Sequence, residues 1–179
     1  MEYCIIIAGS GGQGILFLGK IIAHAAMKED REVTWFPSYG AEIRGGTANC
    51  TVVISDELIG SPIIKNADYF IVLNEASYNK FINRVVSEGI LIYDSSIIKT
   101  SNTRKDIKIF PIEASKEAAI IADPKFANMV LLGAFIKILK TVSIDKVLET
   151  IEEVIPPKRK EIIEINKKLI LRGYSILEN

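Results

Sequence analysis

The chain has 179 residues, 49% of them hydrophobic and 25% charged, and its 22 basic and 22 acidic residues cancel to a formal net charge of zero. That composition suits one folded domain spanning residues 1–179 with a full core and leaves little room for a second. It carries no basic footprint for nucleic acid, no apolar stretch long and charge-free enough to span a bilayer, and Glu2 where a signal peptide would be basic, so a cytoplasmic protein that binds neither nucleic acid nor membrane is expected.

Tyr3-Cys-Ile-Ile-Ile-Ala8 is a β-branched apolar run, followed at once by Gly9-Ser-Gly-Gly-Gln-Gly14 and then by Ile15-Leu-Phe-Leu18. The pattern predicts strand, tight turn and helix, with the helix beginning near Gly12 and running to about Lys28. Glycine reaches positive φ at no steric cost and lets an incoming group approach the backbone. The free N–H groups and positive dipole end of the following helix suit an anion such as phosphate. A sharp corner with no ligand stays open as the alternative.

Two familiar motifs are disfavoured here. Gly9-x-Gly11-x-x-Gly14 has dinucleotide spacing, but a carboxylate should follow the second strand to hold the ribose. The strand Val33–Phe36 instead runs into Pro37-Ser38, and Glu29, Asp30 and Glu32 precede it. Gly14 to Lys20 has the outer spacing of a Walker loop, yet Ile21 stands where a magnesium-binding Ser or Thr is required. Gly19 reads as a helix-packing glycine and Lys20 as solvent-facing.

Pro37-Ser-Tyr-Gly-Ala-Glu-Ile-Arg-Gly-Gly-Thr47 is the second unusual segment. Its glycines, proline and opposed charges describe an ordered loop before the strand Ala48–Ile54. Tyr39 and Arg44 are residue types that anchor interfaces, and Gly45-Gly46 permits a sharp turn or the close approach of another backbone. Glu42 and Arg44 suit either a mutual ion pair or contact with a ligand or partner.

Further strands are expected at Asp68–Leu73, Ile90–Tyr93 and Ile107–Phe110, with helices near Glu75–Ser87 and Ala114–Ala122. Asn74 and Asp94 follow strand ends and read as helix or turn caps. From Lys125 to Lys140 the apolar residues cover most of a helix, so it should be buried, and Asn128 near its start then needs hydrogen-bond partners. Ser143 caps another helix that Pro156-Pro157 stops, and a last helix runs from about Arg159 to Leu171 and ends at Gly173. Strands alternating with helices argue an α/β fold: a Rossmann-like three-layer domain with a mostly parallel sheet and a helical C-terminal third.

The inventory for independent catalysis is thin. No nucleophile–base pair stands at a recognisable spacing, so no catalytic residue is assigned. Cys4 and Cys50 read as buried free thiols, too few for an iron–sulfur cluster. The lone His24 reads as a packing or interface residue, and no metal site is expected.

Gly9–Gly14 and the segment Pro37-Ser-Tyr-Gly-Ala-Glu-Ile-Arg-Gly-Gly-Thr-Ala-Asn-Cys50 together resemble the gamma subunit of 2-oxoacid:ferredoxin oxidoreductases, the family acting on pyruvate, 2-oxoglutarate and ketoisovalerate. Asn128-Met-Val-Leu-Leu-Gly133 resembles that family's later helix start, and the likeness runs in order along essentially the whole chain. It implies a subunit, inactive alone, of an enzyme that oxidatively decarboxylates a 2-oxoacid to an acyl-CoA and reduces ferredoxin. Thiamine diphosphate, Mg and iron–sulfur clusters would belong to the alpha, beta and ferredoxin-like delta partners. This chain would help to form the coenzyme A site, with Gly9, Gly11, Gly12, Gln13 and Gly14 at phosphate. Tyr39, Glu42, Arg44, Gly45, Gly46, Thr47 and Asn128 would face partner subunits or the substrate channel. A separate chain of this length looks most like the 2-oxoglutarate type. The rival reading is a freestanding nucleotide-binding or regulatory module.

Overall fold

The computed structural model of the chain describes residues 1–38, 47–99 and 104–178. Its central strand β1 (Glu2–Ser10) explains its own composition. Ile5 and Ile7 enter one core, Ile6 and Ala8 the other, and all four are at most 1% exposed. A strand covered on both faces reads as a continuous apolar run rather than an alternating one.

From β1 the chain crosses by α1 (Ile15–Met27) to the edge strand β2 (Glu32–Ser38). The next strand, β3 (Thr47–Ser55), lies between β2 and β1 and is antiparallel to both. On the other side of β1 come β4 (Ala67–Val72), β5 (Val85–Asp94) and β6 (Lys108–Ile112), each parallel to its neighbour. The order is β2-β3-β1-β4-β5-β6, so β3 alone runs against the rest and the sheet is mostly parallel, as expected. Pro37 and Pro111 both fall in edge strands, where a missing N–H breaks no ladder.

The two faces are unequally covered. The helices α3 (Ala114–Ile121), α4 (Ala127–Leu139), α5 (Ile144–Val154) and α6 (Lys160–Ser175) join α1 over one core. The other core takes Tyr78 and Phe81 from the short α2 (Glu75–Phe81). Helix α4 is buried without a break from Ala127 to Ile136, which accounts for its nearly all-round apolar sequence. Gly19 is a packing glycine: a Cβ there would stand 2.6 Å from Cys50 Sγ and 3.0 Å from Trp35 Nε1. Lys20 is half-buried rather than fully solvent-facing.

Two expected boundaries move. The helix read as Glu75–Ser87 ends at Phe81, a 3₁₀ turn follows at Ile82–Arg84, and β5 takes over at Val85. The anticipated turn at Glu88-Gly89 is a kink inside that strand, with Glu88 at φ 63° and its N–H donated to Asp106 O at 2.7 Å. The last helix does not end at Gly173 but passes through it to Ser175. Gly173 is a crossing point instead: a Cβ on it would press into the Val130 carbonyl, and one on Gly133 into the Ile170 carbonyl. The backbones of α4 and α6 therefore touch at a pair of glycines.

Candidate functional site: a glycine turn and an uncapped groove

The carboxyl ends of β1 and β4 are laced together by side chains. Gln13 folds back so that its Oε1 accepts the Ser10 N–H at 2.7 Å, while its Nε2 donates to Leu73 O at 3.0 Å. Asn74 donates to Ser10 Oγ at 2.5 Å and caps α2 by accepting the Ser77 N–H at 2.9 Å. Asp94, fully buried at the end of β5, accepts from Ser96 N at 3.0 Å and Ser115 Oγ at 2.5 Å. Both residues act as the caps expected of them. The turn sits where the connection after β1 goes to one side of the sheet and the connection after β4 to the other, the crevice in which open α/β sheets bind ligands.

Within the turn the glycines differ. Helix α1 starts at Ile15, three residues later than expected, with Gly14 as its N-cap at φ 69° and Gly12 at φ 88°. A Cβ on Gly9 would meet Ile15 Cδ1 at 2.6 Å, and Gly14 faces the Asn128 amide, so each is required by packing. Gly11 has neither reason among the described residues: its φ is not positive and a Cβ there would find none of their atoms within 4 Å. The expected role of Gln13 needs correction, because its N–H is spent on Ser10 O at 3.2 Å. Its place in the site is that of a staple. The N–H groups of Gly11, Gly12 and Gly14 carry no hydrogen bond among the described residues.

Tyr39, Glu42, Arg44, Gly45 and Gly46 lie outside the described residues. The two stems of their loop are placed, however. Ser38 pairs with Asn49, and Thr47 pairs with Ser10, so both stems stand at the same sheet edge as the glycine turn. Thr47 Oγ1 accepts from Lys80 Nζ at 3.0 Å. Asn128, 114 residues on in the chain, reaches the turn from the start of α4, with Nδ2 3.4 Å from Gly14 O.

Beside the turn lies a groove of about 420 Å³, bounded by Gly12, Gly14 and Phe17, by Lys125, Phe126 and Asn128, and by Val154, Ile155, Pro156, Arg159, Ile162 and Asn166. Among the described residues no acidic side chain lines it. Lys125 is shared with Asp123 at 3.1 Å, whereas Arg159 has no ion pair among the described residues. Sequence reasoning missed Lys125, Arg159 and Asn166, which tertiary packing brings in from the far half of the chain. Cap chemistry gave no signal for them: the helix at Glu113, away from the groove, also lacks a side-chain cap, and Asp123 caps the 3₁₀ turn that runs into α4.

Cys4 and Cys50 are free; Cys50 is fully buried and Cys4 half-buried. Burial pushes the Cys4 thiol up to about 11 and the Cys50 thiol up to about 12. Neither suits a reactive thiolate. His24 is exposed on α1, so internal packing is not its role. Among the described residues no group of His, Cys, Asp and Glu could hold a metal ion, and no helix is long and apolar enough to cross a membrane.

Residues 4–176 match the pyruvate ferredoxin/flavodoxin oxidoreductase family. The chain belongs to that family. It is 35% identical over 173 residues to the ketoisovalerate oxidoreductase subunit VorA of Methanothermobacter thermautotrophicus, covering 96% of this chain but only 36% of that protein. It is 34% identical to the 2-oxoglutarate synthase subunit KorC of Archaeoglobus fulgidus, covering 98% of this chain and 88% of KorC. A keto/oxoacid ferredoxin oxidoreductase gamma subunit from Geobacter sulfurreducens has the same fold, with a TM-score of 0.84 at 25% identity, over 97% of this chain and 96% of that one. The 2-oxoglutarate:ferredoxin oxidoreductase of Magnetococcus marinus, solved with 2-oxoglutarate, coenzyme A and succinyl-CoA bound, matches with a TM-score of 0.90 at 26% identity. That match spans 99% of this chain and 31% of the longer one. The resemblance read from the sequence is thereby shown: the chain matches proteins named as gamma subunits of 2-oxoacid:ferredoxin oxidoreductases over nearly all of its length, and spans about a third of the first relative.

Proposed function

We propose that the whole chain works as one gamma-type unit of an enzyme converting a 2-oxoacid and coenzyme A to acyl-CoA and CO₂, with two electrons passing to ferredoxin. In this reading its contribution is to bind coenzyme A and to complete the assembly, while thiamine diphosphate, Mg and iron–sulfur clusters sit on alpha, beta and delta partners. The observation that carries the reading is the glycine turn. Three backbone N–H groups without partners among the described residues converge at the start of α1, where its dipole favours an anion, and Gly11 is a glycine that nothing among the described residues requires. A pyrophosphate is the part of coenzyme A that such a turn suits. The loop 39–46, whose stems Ser38 and Thr47 stand beside the turn, then faces the partner subunits and the substrate channel.

The 2-oxoglutarate type is the proposed substrate class. It rests on the KorC relatives, the first of them 34% identical and matched over 88% of its length, whereas this chain spans about a third of VorA; PorC chains are also matched nearly end to end, at 31% and 29% identity, so pyruvate is the second candidate. The test is an anaerobic purification of the chain with its native partners, assayed for CoA-dependent dye reduction with 2-oxoglutarate, pyruvate, ketoisovalerate and indolepyruvate. Activity chiefly with 2-oxoglutarate is expected. A lone, inactive chain that binds nucleotide tightly would point to a freestanding regulatory module instead. Coenzyme A should also slow amide exchange at Gly11, Gly12 and Gly14 in the assembled enzyme, and unchanged exchange there would mark the turn as purely structural.

A further inference from the structure

We infer that the free edge of the sheet, strand β2, pairs with β2 of a second copy of this chain across a twofold axis at Trp35. The hydrogen-bonding direction of β2 follows from its neighbours. Cys4 N–H donates to Asp68 Oδ2 at 2.8 Å and Leu73 N–H to Ala8 O at 3.0 Å, so the even-numbered residues of β1 turn their backbone groups toward β4. The odd-numbered ones, Ile7 included, then face β3, and Ile7 bonds Cys50 there. The backbone groups of Cys50 are thereby used, so Pro37, opposite it on the other side, makes no ladder bond to it. By the same alternation Val33, Trp35 and Pro37 turn their backbone groups outward from the sheet, where no described strand lies.

An open edge of this kind is a template for another strand, and this one is complementary to itself. In an antiparallel self-pair centred on Trp35, each Val33 N–H donates to the copy's Pro37 carbonyl and each Trp35 N–H to the copy's Trp35 carbonyl. The N–H that Pro37 lacks falls at the end of that ladder. Glu32 comes opposite Ser38, and no like charges meet. A two-residue slip keeps the same alternation but sets the Glu32 carboxylate against the Phe36 ring. The chain's formal net charge of zero leaves two copies without long-range repulsion.

The side chains complete the match. Trp35, 36% exposed, lies on the α1 side of the sheet beside Gly19 and meets its own copy on the axis. Phe36, 44% exposed, is on the opposite side, in line with Thr51 and Ile6. In this register it stands opposite the copy's Thr34, in a pair without hydrogen bonds, where side chains approach most closely. Thr34 carries an independent sign of that neighbour. It is half-buried, yet its Oγ1 is the one buried side-chain polar atom among the described residues with no hydrogen bond. A threonine beside water gains by turning its hydroxyl outward. This one keeps the hydroxyl inside and leaves its exposure to its other atoms, which the copy's Phe36 covers.

The test is sedimentation of the full chain, with amide exchange read residue by residue. The wild type should sediment as a dimer of the 19.8 kDa chain and dissociate on dilution, the emission of Trp35, its only tryptophan, moving to the red. In the dimer the amides of Val33 and Trp35 should exchange as slowly as those of Thr34 and Phe36, which β3 protects in either state. Phe36→Glu should fold, because the residue is exposed, and should raise the dissociation constant about tenfold or more by carrying a carboxylate into the interface. Thr34→Val should leave dimerisation intact, since the hydroxyl takes no part in it. A monomeric wild type with fast exchange at Val33 and Trp35 overturns the inference and leaves Pro37 as a device that blunts a free edge. A dimer that Phe36→Glu leaves unchanged forms elsewhere and overturns it as well. Weakening by Thr34→Val overturns the register, because the hydroxyl then has a donor across the interface. Slow exchange at Val33 and Trp35 in the assembled enzyme alone overturns the self-pair and gives the edge to a strand of a partner subunit.

Discussion

Gly9 and Gly11 sit two residues apart in one turn, and the chain treats them differently. A methyl group on Gly9 would overlap Ile15 Cδ1 and Gln13 Oε1, at 2.6 and 2.7 Å, and would loosen the staple that closes the turn. Gly9→Ala should therefore lower stability by about 1–3 kcal/mol, the usual size of an overpacking strain, read as a lowered denaturation midpoint. Gly11→Ala meets open space at an ordinary φ, so the midpoint should hold or rise by up to about 1 kcal/mol through a stiffer unfolded chain. In the assembled enzyme the same Gly11→Ala change should raise the KM for coenzyme A. A stability loss at Gly11 matching that at Gly9 would show that the glycine is needed by the fold, and would remove the argument for an external group there. Nothing in the sequence separates the two glycines. Which one is free depends on where Ile15 and Gln13 turn their side chains, a tertiary fact.

The elements were legible wherever pattern and burial coincide, and illegible where a distant partner decides. β1 and α4 could be read because each is buried nearly all round, and a continuous apolar stretch records that directly. The direction of β3 could not, since the hydrophobic pattern of a doubly covered strand is the same parallel or antiparallel. Ile82 to Ser87 continued a helical pattern, yet pairing with β4 draws the chain into β5 from Val85 onward. Gly173 has the same cause. Near a chain end a glycine reads as a helix stop, but here the helix needs it because Val130 leaves no room for a Cβ. Gly173→Ala should cost about 3 kcal/mol or more, above the ordinary overpacking range, because both surfaces are backbone and neither can turn aside. Alanine is the better helix former by about 1 kcal/mol, so a rise in the denaturation midpoint would show that α4 and α6 do not touch at this crossing. The candidate groove follows the same rule. Gly14 and Asn128 were read separately from local motifs, and only packing showed that they share a wall with Arg159.

At the scale of the whole molecule the titrating groups give stability an asymmetric dependence on pH. On the acid side the carboxylates held below their usual range are Glu29, beside Ser143; Asp106, beside Arg104; Glu117, beside Arg172; and Asp123, beside Lys125. All four lie near the surface, where solvent screening leaves such pairs with small stabilities. Their contribution is present above the unfolded carboxylate range and fades only as pH falls through the lowered folded values, so the acid limb should be shallow. The alkaline limb rests on buried groups. Burial raises Cys50 to about 12 and Cys4 to about 11, and it also raises the phenols of Tyr69 and Tyr93. In each case folding favours the neutral form, so above about pH 8.5, where an unfolded thiol ionises, the folded state binds more protons than the unfolded one. Stability must then fall as pH rises, and must go on falling until the folded thiols themselves titrate. Denaturant titrations of the chain between neutral pH and about pH 10.5 should therefore show a midpoint that holds near neutrality and declines steadily above about 8.5. Cys50→Ala should flatten part of that decline, even though it also lowers stability at neutral pH by leaving a small void against Gly19 and Ile15. A midpoint that stays level across the alkaline range would mean that these thiols reach water, and that the close approach of α1 to β3, on which the position of the glycine turn depends, is looser than the packing of Gly19 against Cys50 requires.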